Sequence, residues 1–252
     1  MGVTDFLGFE LWQWAGIAAV ALMVGMAKAG ISGTVMLAVP LLASVVGGKM
    51  STGMMVSLFI VGDIFAVLFY KQHVDGKIIR RLMGWVAAGI LLGLVVGKYI
   101  DDQQFKTLLA GIVILILGMI VYMEVRGDKI QVPEKLWVYA LTGILCGFTS
   151  MIGNMAGPIF NIYLLALGLG KKNFMGTLAV FFFITNLIKL PLQIFFWNNV
   201  TLETAGVVLV MVPVVLLGAV IGVRIIRVLN DRIFRRFVLV MTTLAAIRLL
   251  LQ

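Results

Sequence analysis

The stretch "IGNMAGPIFNIYLL", residues 152 to 165, lies in one of the most apolar parts of the chain, yet it contains two asparagines, two glycines and a proline. A related stretch, "KAGISGT" at residues 28 to 34, also precedes a short apolar segment. Inside hydrocarbon, an unpaired backbone N–H or C=O group costs several kcal/mol, so irregular chain survives there only when protein or a wet cavity surrounds it. We therefore predict that both stretches interrupt helices within a membrane protein.

The composition supports a membrane location. Of 252 residues, 62% are hydrophobic and 12% are charged, and the mean hydropathy is +1.12, which exceeds what one soluble core can bury. The single cysteine, Cys146, excludes a disulfide framework and a cysteine metal cluster. Asp63 is the one acid in the interior of the apolar segments, since Glu203 stands at the very start of its segment, and no histidine lies in them. We therefore expect no enzyme, no cofactor and no metal site.

The apolar runs predict an all-α polytopic membrane protein with about ten membrane-crossing segments. Two of these segments are shorter than the ~20 residues of a straight crossing helix, and they either cross as broken helices or dip in and return. The segments are 11–28, 32–47, 52–70, 82–97, 105–123, 136–151, 156–169, 174–197, 203–223 and 233–251.

The basic residues decide between these two options. The net charge of +9 does not indicate nucleic acid, because the basic residues fall in short connections where they set membrane orientation. If all ten segments cross, fifteen flanking Lys and Arg residues, Lys28 among them, lie on one side and four on the other. If the short segments return, the split is 11 to 8. Cytoplasmic flanks are rich in Lys and Arg, so we predict ten crossings in the cell inner membrane, with both termini outside the cytoplasm.

An internal repeat appears when the chain is shifted by 123 residues. The shift aligns Gly30 with Gly153, Gly47 with Gly170, Phe59 with Phe182, and Asp63 with Asn186. We therefore divide the chain into repeats at residues 1–127 and 128–252, which together form one membrane domain. Five segments per repeat is an odd number, so the two repeats are expected to be inverted, as in many secondary transporters.

The two interruptions predict an anion site. Half-helices that begin at the interruptions would aim free N–H groups and partial positive charge at a shared point. Pro158 suits the first turn of such a half-helix, where its missing N–H would have no partner anyway. The alternative is that the glycines only let helices approach closely. The candidate substrate-binding residues from these segments are Gly30, Ser32, Gly33, Gly153, Asn154, Gly157, Pro158, Asn161 and Thr177.

Three polar residues within the apolar segments complete the candidate site. Asn186 and Lys189 are three residues apart and share a helix face. A buried ammonium is costly without a partner, so Lys189 is the main candidate for contact with an anion, or else it forms a structural ion pair with Asp63. Asp63 is also a candidate proton carrier that couples transport to the proton gradient.

These motifs resemble those of the TauE/SafE family of sulfite exporters, also called the TSUP family. The second block, "GNMAGPIFNIYLLALGLGKKNFMGTLAVFFFITNLIKLPLQ" at 153–193, is the most specific part, and "AGISGTVMLAVPLLA" at 29–43 resembles the first block. The resemblance implies export or uptake of small sulfur-containing anions such as sulfite, sulfonates, sulfoacetate or thiosulfate. The first glycine turn, "GISG", lacks the consecutive glycines of the family, which weakens the inference of substrate identity.

The leading hypothesis is therefore a secondary transporter that moves a small sulfur-containing anion through the lipid bilayer by alternating access, with possible proton coupling. A passive anion channel is the first alternative. A membrane scaffold without transport is the second, and polar residues within the spans argue against it.

Overall fold

The structure is a computed structural model that describes residues 8–31, 34–99, 111, 118, 135–154, 156–230, 232–234 and 236–240. All regular secondary structure within these ranges is helical. Most of the predicted segment 105–123 and the end of segment 233–251 lie outside the described residues.

Eight α-helices are defined in the described part of the chain, with a 3-10 turn at Lys71–His73 after the third. They are α1 (Leu11–Lys28), α2 (Thr34–Val46), α3 (Gly48–Tyr70), α4 (Gly76–Tyr99), α5 (Leu136–Gly153), α6 (Ala156–Ala166), α7 (Lys171–Phe195) and α8 (Leu202–Val228). Each corresponds to one of the predicted apolar segments.

The lengths of the helices agree with a membrane-spanning protein. Six of the described helices are long and apolar enough to cross a membrane, namely α1, α3, α4, α5, α7 and α8. Helix α2 has 13 residues and α6 has 11, so both are short, as the sequence predicts. Large apolar side chains such as Leu202 and Leu209 are exposed on the helix surfaces, where lipid would cover them. The count of ten crossings and the inversion of the repeats stay predictions.

The described helices fall into two compact units. The first unit contains residues 1–71 and 182–229, and the second contains residues 72–181 and 230–252. Helix α7 passes from the second unit to the first after Phe181. Each unit therefore combines helices from both halves of the sequence. The division of the chain into two sequence repeats at residue 127 stays a prediction.

In the first unit, α1 packs closely on α8 through glycines. A Cβ atom at Gly25 would overlap the carbonyl oxygen of Val215, and one at Gly218 would overlap that of Leu22. Small residues let helix backbones approach in this way, which is how membrane helices gain packing energy without a hydrophobic driving force. We call this contact the first glycine seam.

In the second unit, α4 packs on α5 by the same means. A Cβ atom at Gly89 would overlap the carbonyl oxygen of Ile144, and one at Gly147 would overlap that of Val86. We call this contact the second glycine seam. The sequence analysis considered close helix approach for the glycines of the interruptions, whereas the structure shows it at these other glycines, and nothing lies within 4 Å of a Cβ atom added at Gly157.

The first predicted interruption is present. Helix α1 ends at Lys28, and α2 begins at Thr34. Gly30 has a φ of 122°, a conformation that L side chains rarely adopt. The Thr34 hydroxyl donates to the carbonyl oxygens of Met23 (2.8 Å) and Ile31 (2.9 Å), which ties the start of α2 to α1.

The second predicted interruption is also present. Helix α5 ends at Gly153, and α6 begins at Ala156. Asn154 between them is left-handed, with φ 58° and ψ 30°, and its N–H group donates to the carbonyl oxygen of Ser150 at 3.2 Å. Asparagine tolerates this conformation better than other residues with a Cβ atom, so it can end a helix where glycine usually does.

Candidate functional site

A buried ion pair lies in the first unit. The Nζ atom of Lys28, the last residue of α1, is 2.8 Å from Oδ1 of Asp63 in α3. The side chains are 8% and 0% exposed. Because two charges removed from water must compensate each other, the pair fixes the end of α1 against the middle of α3.

The second carboxylate oxygen of Asp63 is also engaged. The Nδ2 group of Asn186 donates to Oδ2 of Asp63 at 2.7 Å, and both side chains are buried. These two residues are the repeat equivalents, 123 positions apart. The internal alignment matches these two positions but does not predict that their side chains touch. In the structure they form a hydrogen bond.

Two aromatic rings flank the Lys28 ammonium. Its Nζ atom lies 4.4 Å from the ring centroid of Phe59 and 4.6 Å from that of Phe182. At these distances the negative faces of the rings attract the cation. Phe59 and Phe182 are also repeat equivalents, so a second matched pair lies at the same point.

Lys189 completes the group. It has no exposed surface, and its ammonium interacts electrostatically with both Asp63 and Lys28. We call Lys28, Asp63, Asn186 and Lys189 the charged cluster. With all groups ionised, these four side chains together carry two positive charges and one negative charge, a net charge of +1.

Lys28 corrects the sequence interpretation. The orientation count placed it among the flanking basic residues, but its side chain is buried and paired with Asp63. The sequence analysis offered Lys189 as the ion-pair partner of Asp63, and the salt bridge that the structure shows is with Lys28. One signal was present in the sequence, because Lys28 stands directly before the predicted interruption "AGISG".

The predicted site residues divide between the two units. The first unit holds Gly30, Asp63, Asn186 and Lys189, and the second holds Gly153, Asn154, Gly157, Pro158, Asn161 and Thr177. Ser32 and Gly33 lie outside the described residues. The structure thus joins Asp63, Asn186 and Lys189 in one cluster, and the remaining residues belong to the interruptions and to the second unit.

In the second unit, the short helix α6 that follows the interruption carries only neutral side chains. Pro158 is the third residue of α6, where its missing N–H breaks no helical hydrogen bond, as predicted. Asn161 follows one turn later and is 2% exposed. The Thr177 hydroxyl oxygen accepts from the backbone N–H of Asp75 at 3.0 Å, so this side chain anchors the connection before α4.

The chain matches a known family model. The family model described as "Sulfite exporter TauE/SafE" matches residues 17–249, which include both interruptions and every residue of the charged cluster. Comparison with curated proteins and with solved structures finds no match. Since the family match spans nearly the whole chain, and six described helices can cross a membrane, the chain is a multi-pass membrane protein that belongs to the TauE/SafE sulfite exporter family.

Proposed function

We propose that this protein is a secondary transporter that moves small sulfur-containing anions, of the sulfite, sulfonate, sulfoacetate or thiosulfate type, across the inner membrane by alternating access. The observation that carries the proposal is the charged cluster, in which two buried ammonium groups face one buried carboxylate. The family supports the sulfur-anion class.

The charge of the cluster favours an anion. Two lysines beside one carboxylate give the cluster a net positive charge, and a bound anion would neutralise it. The Asn186 side chain has two N–H donors on Nδ2, and one of them donates to Asp63. The site therefore combines attraction for negative charge with directional hydrogen bonding, as small anions require.

The contact between repeat equivalents supports alternating access. Two residues related by a two-fold axis can touch each other only close to that axis. Asp63 touches Asn186, and Phe59 and Phe182 flank the same ammonium. The cluster would thus lie on the pseudo-two-fold axis between inverted repeats, where secondary transporters hold their substrates.

Asp63 is the proposed coupling residue. When it is ionised, it holds the Lys28 ammonium at 2.8 Å. Its protonation would remove the negative charge and leave both lysines available to an anion. By linkage, a bound anion would equally favour protonation of Asp63, so anion and proton would cross together.

Flux through reconstituted protein tests the proposal. We expect saturable sulfite uptake into proteoliposomes that falls at least about tenfold in Lys189→Met, because a hydrogen bond to a charged group contributes about 1.5–3 kcal/mol. Lys77→Met, which removes an exposed lysine in α4, is the matched control and should keep wild-type flux. Equal flux in wild type and Lys189→Met would remove the cluster from the transport path.

The same preparation separates a transporter from the channel alternative. A transporter should give flux that saturates with sulfite and responds to an imposed proton gradient. Flux that follows only the electrochemical gradient, without saturation, would identify a passive pore instead.

The proposed orientation places both termini outside the cytoplasm, and the distribution of basic residues supports it. Single cysteines introduced at Asn230 and Val200 into a Cys146→Ala background would report it. A membrane-impermeant thiol reagent should reach residue 230 from the cytoplasmic side and residue 200 from the opposite side. The reverse pattern would overturn the orientation.

A further inference from the structure

Gln193 in α7 has an unusual environment. Its side chain has no exposed surface, and neither Oε1 nor Nε2 has a hydrogen-bond partner among the described residues. A buried amide without partners is a stability loss, so native proteins retain one only where something else satisfies it. In a transporter, the substrate is the natural candidate.

The position of Gln193 relates it to the charged cluster. An α-helix turns about 100° per residue, so residues three and seven positions apart lie within roughly 60° of each other around the axis. Asn186, Lys189 and Gln193 have this spacing. Gln193 therefore extends the polar face of α7 by one turn, about 6 Å beyond Lys189 along the helix axis.

A neighbouring residue shows the same pattern. Asn199 is 5% exposed, and its Oδ1 atom has no partner among the described residues. Its backbone N–H donates to the carbonyl oxygen of Gln193 at 3.3 Å, and its own carbonyl oxygen occupies the space that a Cβ atom at Gly53 would need. Buried polar atoms without a hydrogen-bond partner among the described residues thus lie close together at the C-terminal end of α7 in the first unit.

The chemistry of an amide limits what Gln193 can bind. Whichever way the amide is turned, it presents one acceptor oxygen and one donor NH2 group. A partner that satisfies both must carry an acceptor oxygen beside a hydroxyl. A singly protonated oxyanion has this arrangement, and its negative charge suits a cluster with two lysines.

We propose that Gln193 is a specificity-determining residue that recognises the protonated oxygen of a monovalent oxyanion, such as hydrogensulfite in its hydroxyl form. Its Nε2 group donates to an unprotonated oxygen, and its Oε1 atom accepts from the hydroxyl. Lys189, one turn away, balances the negative charge. The inference rests on the proposed function, and it adds the protonation state of the substrate.

Competition measurements test the proposal. Proteoliposomes carrying wild type or Gln193→Met take up labelled sulfite at mildly acidic pH, with unlabelled sulfite or methanesulfonate as competitor. Methanesulfonate has similar oxygens but no hydroxyl. We expect Gln193→Met to weaken competition by sulfite about tenfold and competition by methanesulfonate at most about threefold, because hydrogensulfite would lose the partners of both its hydroxyl and an oxygen, whereas methanesulfonate has no hydroxyl to lose a partner.

Thermal unfolding supplies a second measurement. Gln193→Met removes two unmet polar atoms, so we expect the melting temperature of the ligand-free protein to rise and the stabilisation by added sulfite to shrink. Gln13→Met is the matched control, because Gln13 Nε2 donates to the Val45 carbonyl oxygen at 2.9 Å. It should lower the melting temperature and leave the competition ratio unchanged.

The outcomes distinguish the two proposals. If wild type neither transports sulfite nor is stabilised by it, the proposed function fails. If wild type transports sulfite and Gln193→Met keeps the wild-type competition ratio, the inference about Gln193 is wrong while the transporter assignment stands. A lower melting temperature for ligand-free Gln193→Met would show that the amide has a structural partner, and it would equally overturn the inference.

Discussion

The two compact units share a construction and differ in charge. Each has a glycine seam, and each has a long helix that stops at a left-handed or glycine residue before a short helix. The first unit buries Lys28, Asp63 and Lys189, whereas the buried polar side chains of the described part of the second unit are neutral. The position equivalent to Lys28 is Met151, which is 1% exposed. The two units thus share these features of helix packing, while the buried charges of the described residues are concentrated in the first unit.

The largest expected effect comes from removing one partner of the ion pair. Lys28→Met should lower the free energy of unfolding by about 3–5 kcal/mol, because the buried Asp63 carboxylate would lose the ammonium group that lies 2.8 Å from its Oδ1 atom. Thermal unfolding in detergent would measure it. The equivalent change in the second unit, Met151→Leu, replaces one apolar side chain by another and should cost less than about 1.5 kcal/mol.

A double variant sharpens this contrast. Lys28→Met combined with Asp63→Leu replaces the pair by apolar side chains but leaves Lys189 buried without its carboxylate, so it should recover only part of the lost stability. Sulfite transport should be lost in the double variant, since Asp63, the proposed coupling residue, has been removed. If Lys28→Met melts at the wild-type temperature, the ion pair does not stabilise the first unit.

A smaller effect, equal in the two units, is expected at the seams. Gly218→Ala and Gly147→Ala each place a Cβ atom on a backbone carbonyl oxygen, that of Leu22 or Val86. Forcing the helices apart should cost about 1–3 kcal/mol at either seam. Gly84→Ala is the control, since no atom lies within 4 Å of its added Cβ, and it should stabilise α4 by roughly 0.5–1 kcal/mol. A clear difference between the stability losses of Gly218→Ala and Gly147→Ala would show that the two glycine seams do not contribute equally to the two units.

The smallest effects distinguish the two interruptions. Gly30→Ala should cost about 1–3 kcal/mol, because a φ of 122° strains any residue with a Cβ atom. Asn154→Gly should change stability by no more than about 0.5 kcal/mol, because glycine accepts the left-handed conformation that Asn154 already has. Chemical denaturation of both variants measures the difference. Equal losses would mean that the interruptions do not depend on these dihedral angles.

Much of the fold could be predicted from the sequence because its signals are local. Hydropathy located the eight described helices, and glycines and asparagines located both interruptions. The polar residues of apolar segments indicated Asp63, Asn186 and Lys189. Gln193 lies in the same predicted segment as Lys189 but is not among the predicted site residues. The rule that polar residues within membrane spans are informative applies to Gln193 as well.

The amino-acid sequence by itself determined the membrane class and the positions of the described helices, because apolar runs and helix breakers act over a few neighbouring residues. Only the tertiary structure decided which groups meet. In the first unit, the end of α1 lies beside the middle of α3 and the second half of α7. Lys28, which the sequence suggested as a flanking charge, is therefore the buried partner of Asp63. The energy of that pairing depends on distance and burial in three dimensions, which no local pattern of residues encodes.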